Sequence, residues 1–220
     1  MNFLKRLFQK KSKNKPREFS NEEFERDYEL KSLGLEKVLG PMHNLVGHSV
    51  IPFDLGGSVD LYYYLNHIPG TGFATMELLD PDGNGPLPNR YGTYELVAFT
   101  KECYSSGDDV ANPFNIIANS ICSILTTIGL YSRQAVLNPK ETMEIPTGEG
   151  KESIFIVFDL YEPEGKKFIV GHRHHHLLLC MQVFKSEMNF ARKNGSAALI
   201  EMMKTTGNYP YSDLDRTPVV

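Results

Sequence analysis

The chain has 220 residues, of which 41% are hydrophobic and 23% charged, a balance that is ordinary for a globular protein with one large core. No run approaches the roughly 18 consecutive apolar residues that span a bilayer. The three cysteines, Cys103, Cys122 and Cys180, form no C-x-x-C pair and indicate neither a disulfide framework nor a thiolate zinc site. These features favour a reducing, cytoplasmic location.

Charge is unevenly distributed along the chain. The first 17 residues hold seven lysines and arginines and no acid, so they carry +7. Because the whole chain carries −4, the remaining 203 residues carry −11. An acidic body opposes binding to nucleic-acid phosphates but suits a basic protein, since complementary charge speeds association. We therefore expect a protein partner and no nucleic acid.

Residues 1–17 are predicted to be a basic flexible tail outside a single domain that spans residues 18–220. Within the tail, Phe3, Leu4, Leu7 and Phe8 fall on one face at helical spacing. One interpretation is a short interfacial helix that makes weak contact with an anionic membrane surface. The other is a frayed basic tail, because two turns of helix are marginal in water. Both interpretations remain open at this stage.

The first half of the domain is predicted to contain one helix and three strands. Ser20 and Glu23 have capping-box spacing, Phe24 and Tyr28 continue a helical apolar stripe, and Gly34 is the expected end of the helix. The strands are predicted over residues 59–65, 73–79 and 91–99. Acidic residues in the intervening Gly/Pro-rich turns are interpreted as turn formers rather than as acid–base pairs; they are Asp54, Asp60, Asp80 and Asp82.

The second half begins with a long helix. Asn112 caps it, Pro113 takes its first position, and it is expected to end near Gly129. A loop is predicted over residues 132–152. Three strands follow, over 154–160, 167–170 and 177–184, and the first two are expected to form a hairpin.

Two short helices are predicted at the end of the chain. Asn194 and Gly195 tolerate positive φ and separate them, and Ser196 can cap the second. The order of helix, three strands, helix, three strands and two helices does not alternate as βαβ units. It predicts an α+β fold with helices packed on a mixed, mostly antiparallel sheet.

The tract from His172 to His176 is the strongest candidate for metal chemistry. On a strand, His172, His174 and His176 would point to one face and could share a zinc or nickel ion. A metal site usually includes a carboxylate or a distant third ligand, and spacing assigns neither. The preferred interpretation is therefore a polar strand face without a bound metal.

No arrangement for catalysis is apparent elsewhere. The sequence lacks a G-x-S-x-G elbow, a P-loop and a G-x-G-x-x-G fingerprint. We therefore predict a protein that is not an enzyme and that uses no cofactor.

A set of short motifs in fixed order resembles the suppressor-of-fused (SUFU) domain family over some 150 to 190 residues. The matching features are the run Tyr94-Glu95-Leu96-Val97, the long helix after Pro113, the apolar strand over 177–184, and Glu187, Gly195, Leu199, Asp213 and Arg216. Asp213-x-x-Arg216 and the block before it are the most specific part. The family commonly begins the long helix with a tryptophan, and Phe114 takes that place here.

The resemblance implies structural roles for these motif residues. Glu187 would lie in the first turn of a helix, where its charge is favourable with the helix dipole. Arg216 would pair with Glu187 or Asp213 and hold the C-terminal segment on the domain. Glu95, Leu96 and Gly195 belong to the same set, and none is expected to be catalytic.

The resemblance also implies a binding protein. The chain is similar in size and in its lone domain to bacterial members of the family, which are regarded as immunity proteins (antitoxins) that neutralise polymorphic toxins, often nucleases. An immunity protein is thus the leading hypothesis, with a basic nuclease toxin as the partner. The alternatives are a peripheral membrane adaptor tethered by residues 1–17, and a metal-dependent enzyme that uses the histidine tract.

Overall fold

The computed structural model describes residues 17–107, 109, 111–148, 150 and 152–220. Four helices are present: α1 (Asn21–Leu39), α2 (Pro113–Ser132), α3 (Lys185–Asn194) and α4 (Ser196–Thr205). The strands are β1 (Val46–Gly47), β2 (Leu61–Tyr64), β3 (Thr71–Ala74), β4 (Tyr94–Thr100), β5 (Thr142–Ile145), β6 (Ile154–Leu160), β7 (Ile169–Val170), β8 (Arg173–His174) and β9 (His176–Val183). The tail prediction falls outside the described residues, apart from Arg17.

Seven strands form one sheet in the order β1-β2-β3-β4-β9-β6-β5. Among the described residues, β4 and β9 pair in parallel within this sheet, and the other neighbouring strands pair antiparallel. Strands β7 and β8 form a separate antiparallel pair. The predicted α+β fold with a mixed, mostly antiparallel sheet is confirmed.

Helices cover both faces of the sheet. Side chains alternate along each strand, so that Leu96 of β4 packs in the core beneath α2, while Val97 packs in the core with α1, α3 and α4. Strand β9 divides in the same way, with Leu178 on the α2 side and Leu179 on the other. The long apolar runs of β4 and β9 are therefore central strands that are buried on both faces.

Helix α1 begins as the sequence predicts but ends later. The Ser20 hydroxyl accepts from the Glu23 N–H, and the Glu23 carboxylate accepts from the Ser20 N–H, which completes the capping box. The prediction that Gly34 ends the helix was wrong, because the helix continues to Leu39. A Cβ atom at Gly34 would lie 2.4 Å from the carbonyl oxygen of Ile169, so glycine permits close packing of α1 on β7.

Helix α2 begins as predicted and is a core helix. The Asn112 side chain accepts from the Phe114 N–H at 2.9 Å, with Pro113 at the first helical position. The helix is long enough to cross a membrane and its best window has a mean hydropathy of 1.4, as in many core helices. Its residues Ile121, Leu125 and Ile128 are buried against the sheet.

Four local predictions were wrong. Residues 75–79, predicted as part of a strand over 73–79, lie in the loop after β3. Residues 132–152 contain β5, which pairs with β6 at the sheet edge. Residues 167–170 contain β7, which pairs with β8 instead of with residues 154–160. The cap of α4 is Gly195, at φ 92°, and the Ser196 side chain makes no capping hydrogen bond.

Candidate interaction surface

A buried lysine fixes the loop that follows β3, over residues 75–85. Lys31 of α1 is 3% exposed, and its Nζ lies 2.6 Å from Asp27 Oδ2. The same ammonium group donates to the carbonyl oxygen of Met76 at 2.8 Å and to that of Leu79. Its positive charge is therefore compensated by one carboxylate and two backbone carbonyls, as a buried charge requires.

A buried glutamate holds the same loop from the sheet. Glu95 of β4 has no exposed surface and accepts from the Thr75 hydroxyl at 2.6 Å, the Leu79 N–H at 2.9 Å and the Leu78 N–H at 3.3 Å. Burial raises its pKa, although Lys31 and these hydrogen bonds oppose the shift. The motif residue Glu95 thus fixes the backbone that forms the floor of the surface described next.

An open groove of about 570 Å³ lies between α1 and the 75–85 loop. We call it the α1 groove. One wall is aromatic and comes from Phe19, Phe24 and Tyr28. Phe24 is 50% exposed and Tyr28 42% exposed, although their helical spacing predicted a buried stripe. Exposed aromatic side chains that share one concave surface are typical of a binding site for another chain.

The facing wall and the floor of the α1 groove are rich in carboxylates. Asp54 and Asp80 lie on the wall with Arg133, whose guanidinium is 2.5 Å from Asp54. Among all lining residues, two cations face four carboxylates: Asp27, Asp54, Glu77 and Asp80. The groove therefore combines an apolar side with a lining in which carboxyl groups outnumber cations.

Within the described residues, Glu77 on the floor shares with Asp80 the lack of an ion-pair partner, and it accepts from the Met76 N–H at 3.3 Å. The ion pairs within the described part of the chain do not include it. Burial, followed by the charges of Glu95 and Asp60, raises its pKa to about 8. A carboxyl group in this state gains from an added cation, because a nearby positive charge favours its ionised form.

Replacing Glu77 with glutamine is expected to change how stability depends on pH. Some carboxyl groups have a higher pKa in the folded state than in the unfolded state. Such a group contributes its full stability to the folded protein when the pH is below the unfolded pKa. That stability is lost as pH rises through the folded pKa of about 8. E77Q should therefore unfold like the native protein at pH 4 but be more stable at pH 8, by about 1–3 kcal/mol. Urea denaturation at both pH values measures the free energy of unfolding of the two proteins. The same difference between E77Q and the native protein at pH 4 and pH 8 would contradict the prediction.

The motif residues near the C-terminus form a second buried cluster, on the α3 side of the sheet. The two terminal guanidinium nitrogens of Arg216, Nη1 and Nη2, donate to the Glu187 carboxylate at 2.6 and 2.8 Å. Glu187 also accepts from the N–H groups of Phe184 at 3.0 Å and Val219 at 2.9 Å. Of the two partners predicted for Arg216, the structure selects Glu187, and the pair holds the terminal segment on α3.

The remaining motif residues also have structural contacts. Asp213 accepts from the Thr100 hydroxyl and, at 3.0 Å, from the Lys101 N–H, which fixes the end of β4. Leu96 is fully buried beneath α2. Gly195, at φ 92°, separates α3 from α4. These residues do not lie together at one site.

The histidine tract does not have the geometry that the metal hypothesis needs. His172 and His174 are exposed, in the turn after β7 and in β8, whereas His176 begins β9 and is only 2% exposed. Burial lowers the pKa of His176 to about 4, so the ring is neutral and packs near Tyr94. No group of three His, Cys, Asp or Glu side chains among the described residues could hold a metal ion.

The comparisons with known proteins concern the fold. Neither the protein-family models nor the curated proteins give a match to this sequence. Among solved structures, the chain is similar to one described as the Sufu-Fu complex crystal structure, with a TM-score of 0.54 and 16% sequence identity. The alignment covers 87% of this chain and 91% of that chain. The predicted SUFU-like fold is therefore confirmed, and the assignment to a bacterial single-domain type stays a prediction.

Proposed function

We propose that this protein is a protein-binding module that acts by stoichiometric binding and not by catalysis. The observation that carries the proposal is the α1 groove, where Phe24 and Tyr28 are exposed beside a lining that has more carboxyl groups than cations. Aromatic side chains supply large contact area at an interface, and the charged rim selects the partner. The solved structure with a similar fold is itself described as a complex, which supports a protein partner.

The partner that fits this surface is a basic protein. Residues 18–220 carry a net charge of −11, so a cationic partner is attracted over a distance before contact. A nuclease toxin has such a surface, because it must bind phosphates. We propose that the chain is an immunity protein of the cytoplasm whose carboxylates occupy the phosphate-binding groove of a basic nuclease toxin.

Affinity capture of the tagged full chain from its native cells at low salt tests this function. We expect one stoichiometric partner that contains a toxin domain, and inhibition of that toxin when the two purified proteins are mixed. Recovery of the chain alone, or a partner whose activity is unaffected, would count against the immunity function.

The kinetics of that complex provide a separate prediction. Electrostatic steering should make the association rate constant fall by roughly ten-fold or more between 50 and 500 mM salt, while dissociation changes much less. Stopped-flow or surface-based kinetics measures both rates. An association rate that is indifferent to ionic strength would contradict a charge-guided complex.

A further inference from the structure

The described chain begins in a depression beside the α1 groove, and the two share Asp27 in their lining. The guanidinium group of Arg17 bridges Glu23 of α1 and Asp82 of the 75–85 loop, the two elements between which the groove lies. The same group also lies 4.9 Å from the ring centroid of Phe19, which is part of the aromatic wall. The point at which residues 1–16 join the described chain, Arg17, therefore lies next to the α1 groove.

The composition of residues 1–16 is complementary to the α1 groove. These residues include six lysines and arginines and no acid, whereas the groove has four carboxylates and two cations. They also include four large apolar residues, which match the exposed aromatic wall; these are Phe3, Leu4, Leu7 and Phe8.

The attachment point makes binding within one chain favourable. An extended chain spans about 3.3 Å per residue, so eight residues before Arg17 can reach some 26 Å, about the length of a whole helix such as α1. A segment tethered by a short linker has an effective concentration in the millimolar range. Weak contacts that would not hold a free peptide are therefore sufficient here.

We propose that residues 1–16 bind in the α1 groove of the same chain. Their apolar side chains pack on Phe24 and Tyr28, and their lysines lie near Asp80 and Glu77. The segment is then an internal competitor for the surface that the partner uses, and a partner must displace it. This inference goes beyond the proposed function, because it holds for the isolated protein whether or not the partner is a toxin.

The state of Glu77 supports this occupant. A carboxyl group whose pKa is about 8 is largely protonated at neutral pH. An approaching lysine favours the ionised form, so binding of the segment releases a proton from Glu77. The fraction of molecules in which residues 1–16 occupy the α1 groove should therefore increase as pH rises from 6 toward 8. Tyr62, Asp60 and Glu95 are the titratable groups that act on Glu77. The other charged groups of the groove are Asp27, Lys31, Asp54, Asp80 and Arg133.

Carboxyl footprinting of the full chain tests the proposal. The native protein is compared with a variant in which Phe3, Leu4, Leu7 and Phe8 are replaced with serine. Glycine ethyl ester is coupled by a carbodiimide, and modification is measured by peptide mass spectrometry. Asp54 is the reporter and Glu201 the matched control, because their side chains are 70% and 68% exposed and each is paired with one cation.

We expect Asp54 to react at least about three-fold more slowly in the native protein than in the variant, and Glu201 to react equally in both. Replacing Phe24 with serine should have the same effect as the tail variant, whereas Tyr131→Ser, at a residue with 45% exposure outside the groove, should have none. Equal rates at Asp54 in all four proteins would overturn the proposal.

Cross-linking then identifies the occupant. Carbodiimide alone should join lysines of residues 1–16 to Asp54 or Asp80, and a mixture of ¹⁴N- and ¹⁵N-labelled chains should give links within one chain. Mixed-isotope links would instead assign the groove to a second copy and overturn the proposal. Binding of the segment to anionic vesicles, with Asp54 unprotected when vesicles are absent, would overturn it in favour of a membrane anchor.

Discussion

Replacing Arg216 with alanine is expected to lower the free energy of unfolding by about 3–5 kcal/mol at neutral pH, which is the cost of leaving a buried charge without its partner. The Glu187 carboxylate has no exposed surface, and the Arg216 side chain is only 10% exposed. The two paired contacts at 2.6 and 2.8 Å would be lost together. The contact of Arg216 with the ring of Phe184 would be lost as well.

The effect of Arg216→Ala should also depend on pH. Burial of Glu187 by itself raises the pKa, but the hydrogen bonds from Arg216 and from the backbone outweigh it, so the pKa is lowered. A lowered pKa gives stability above the unfolded pKa of about 4.3 that is lost as pH falls through the folded value. The difference between the native and variant proteins should therefore be largest at pH 7 and should narrow below about pH 4.

Urea denaturation across this pH range measures the effect. Arg192→Ala is the matched control, because Arg192 forms an exposed pair with Glu144, and exposed pairs contribute little. A double variant, Glu187→Gln with Arg216→Met, should recover part of the loss, since it removes both charges. Equal losses for Arg216→Ala and Arg192→Ala would contradict the structural role of the pair.

Replacing Lys31 with methionine is expected to cost about 3–5 kcal/mol, a loss of similar size at a different place. Methionine preserves the buried length of the side chain but leaves Asp27, 7% exposed, without its cation. The carbonyl groups of Met76 and Leu79 also lose their donor. The 75–85 loop then loses its contacts with α1 through Lys31 and keeps those with Glu95, Arg17 and Arg173, so that the floor of the α1 groove loosens.

Two measurements separate these consequences of Lys31→Met. Chemical denaturation gives the loss of stability, and Lys204→Met is its control, because Lys204 pairs with Glu201 at the surface. Hydrogen exchange should increase in residues 76–85 and remain unchanged in β6, at the far side of the sheet. A variant with native stability, or with uniform changes in exchange, would show that Lys31 does not fix this loop.

The elements that the sequence predicted well are those whose signals are local. The capping box at Ser20 and the Asn112-Pro113 pair satisfy N–H groups within one turn, so they determine where α1 and α2 begin. The continuous apolar run of β6 marks a strand that is buried on both faces. Each of these signals is contained in a few consecutive residues, so the sequence pattern alone reveals it.

The errors at Gly34 and β5 have one physical source, which is contact between residues distant in sequence. Gly34 resembles a helix end, yet its missing Cβ serves the approach of Ile169 across the fold. Strand β5 has weak strand character and forms because β6 offers it an open edge. Tertiary packing outweighs local propensity at such positions.

The features of the candidate surface can also be separated into those that the sequence determines and those that depend on the fold. The sequence by itself determined the acidic body, the basic first 17 residues, the absence of a catalytic motif and the motif residues that resemble SUFU domains. Only the tertiary structure decided that Phe24 and Tyr28 line an open groove, that Glu77 lies on its floor, and that Arg216 selects Glu187. Composition and short-range spacing are properties of the chain, whereas burial and ion pairing depend on which distant residues the fold brings together.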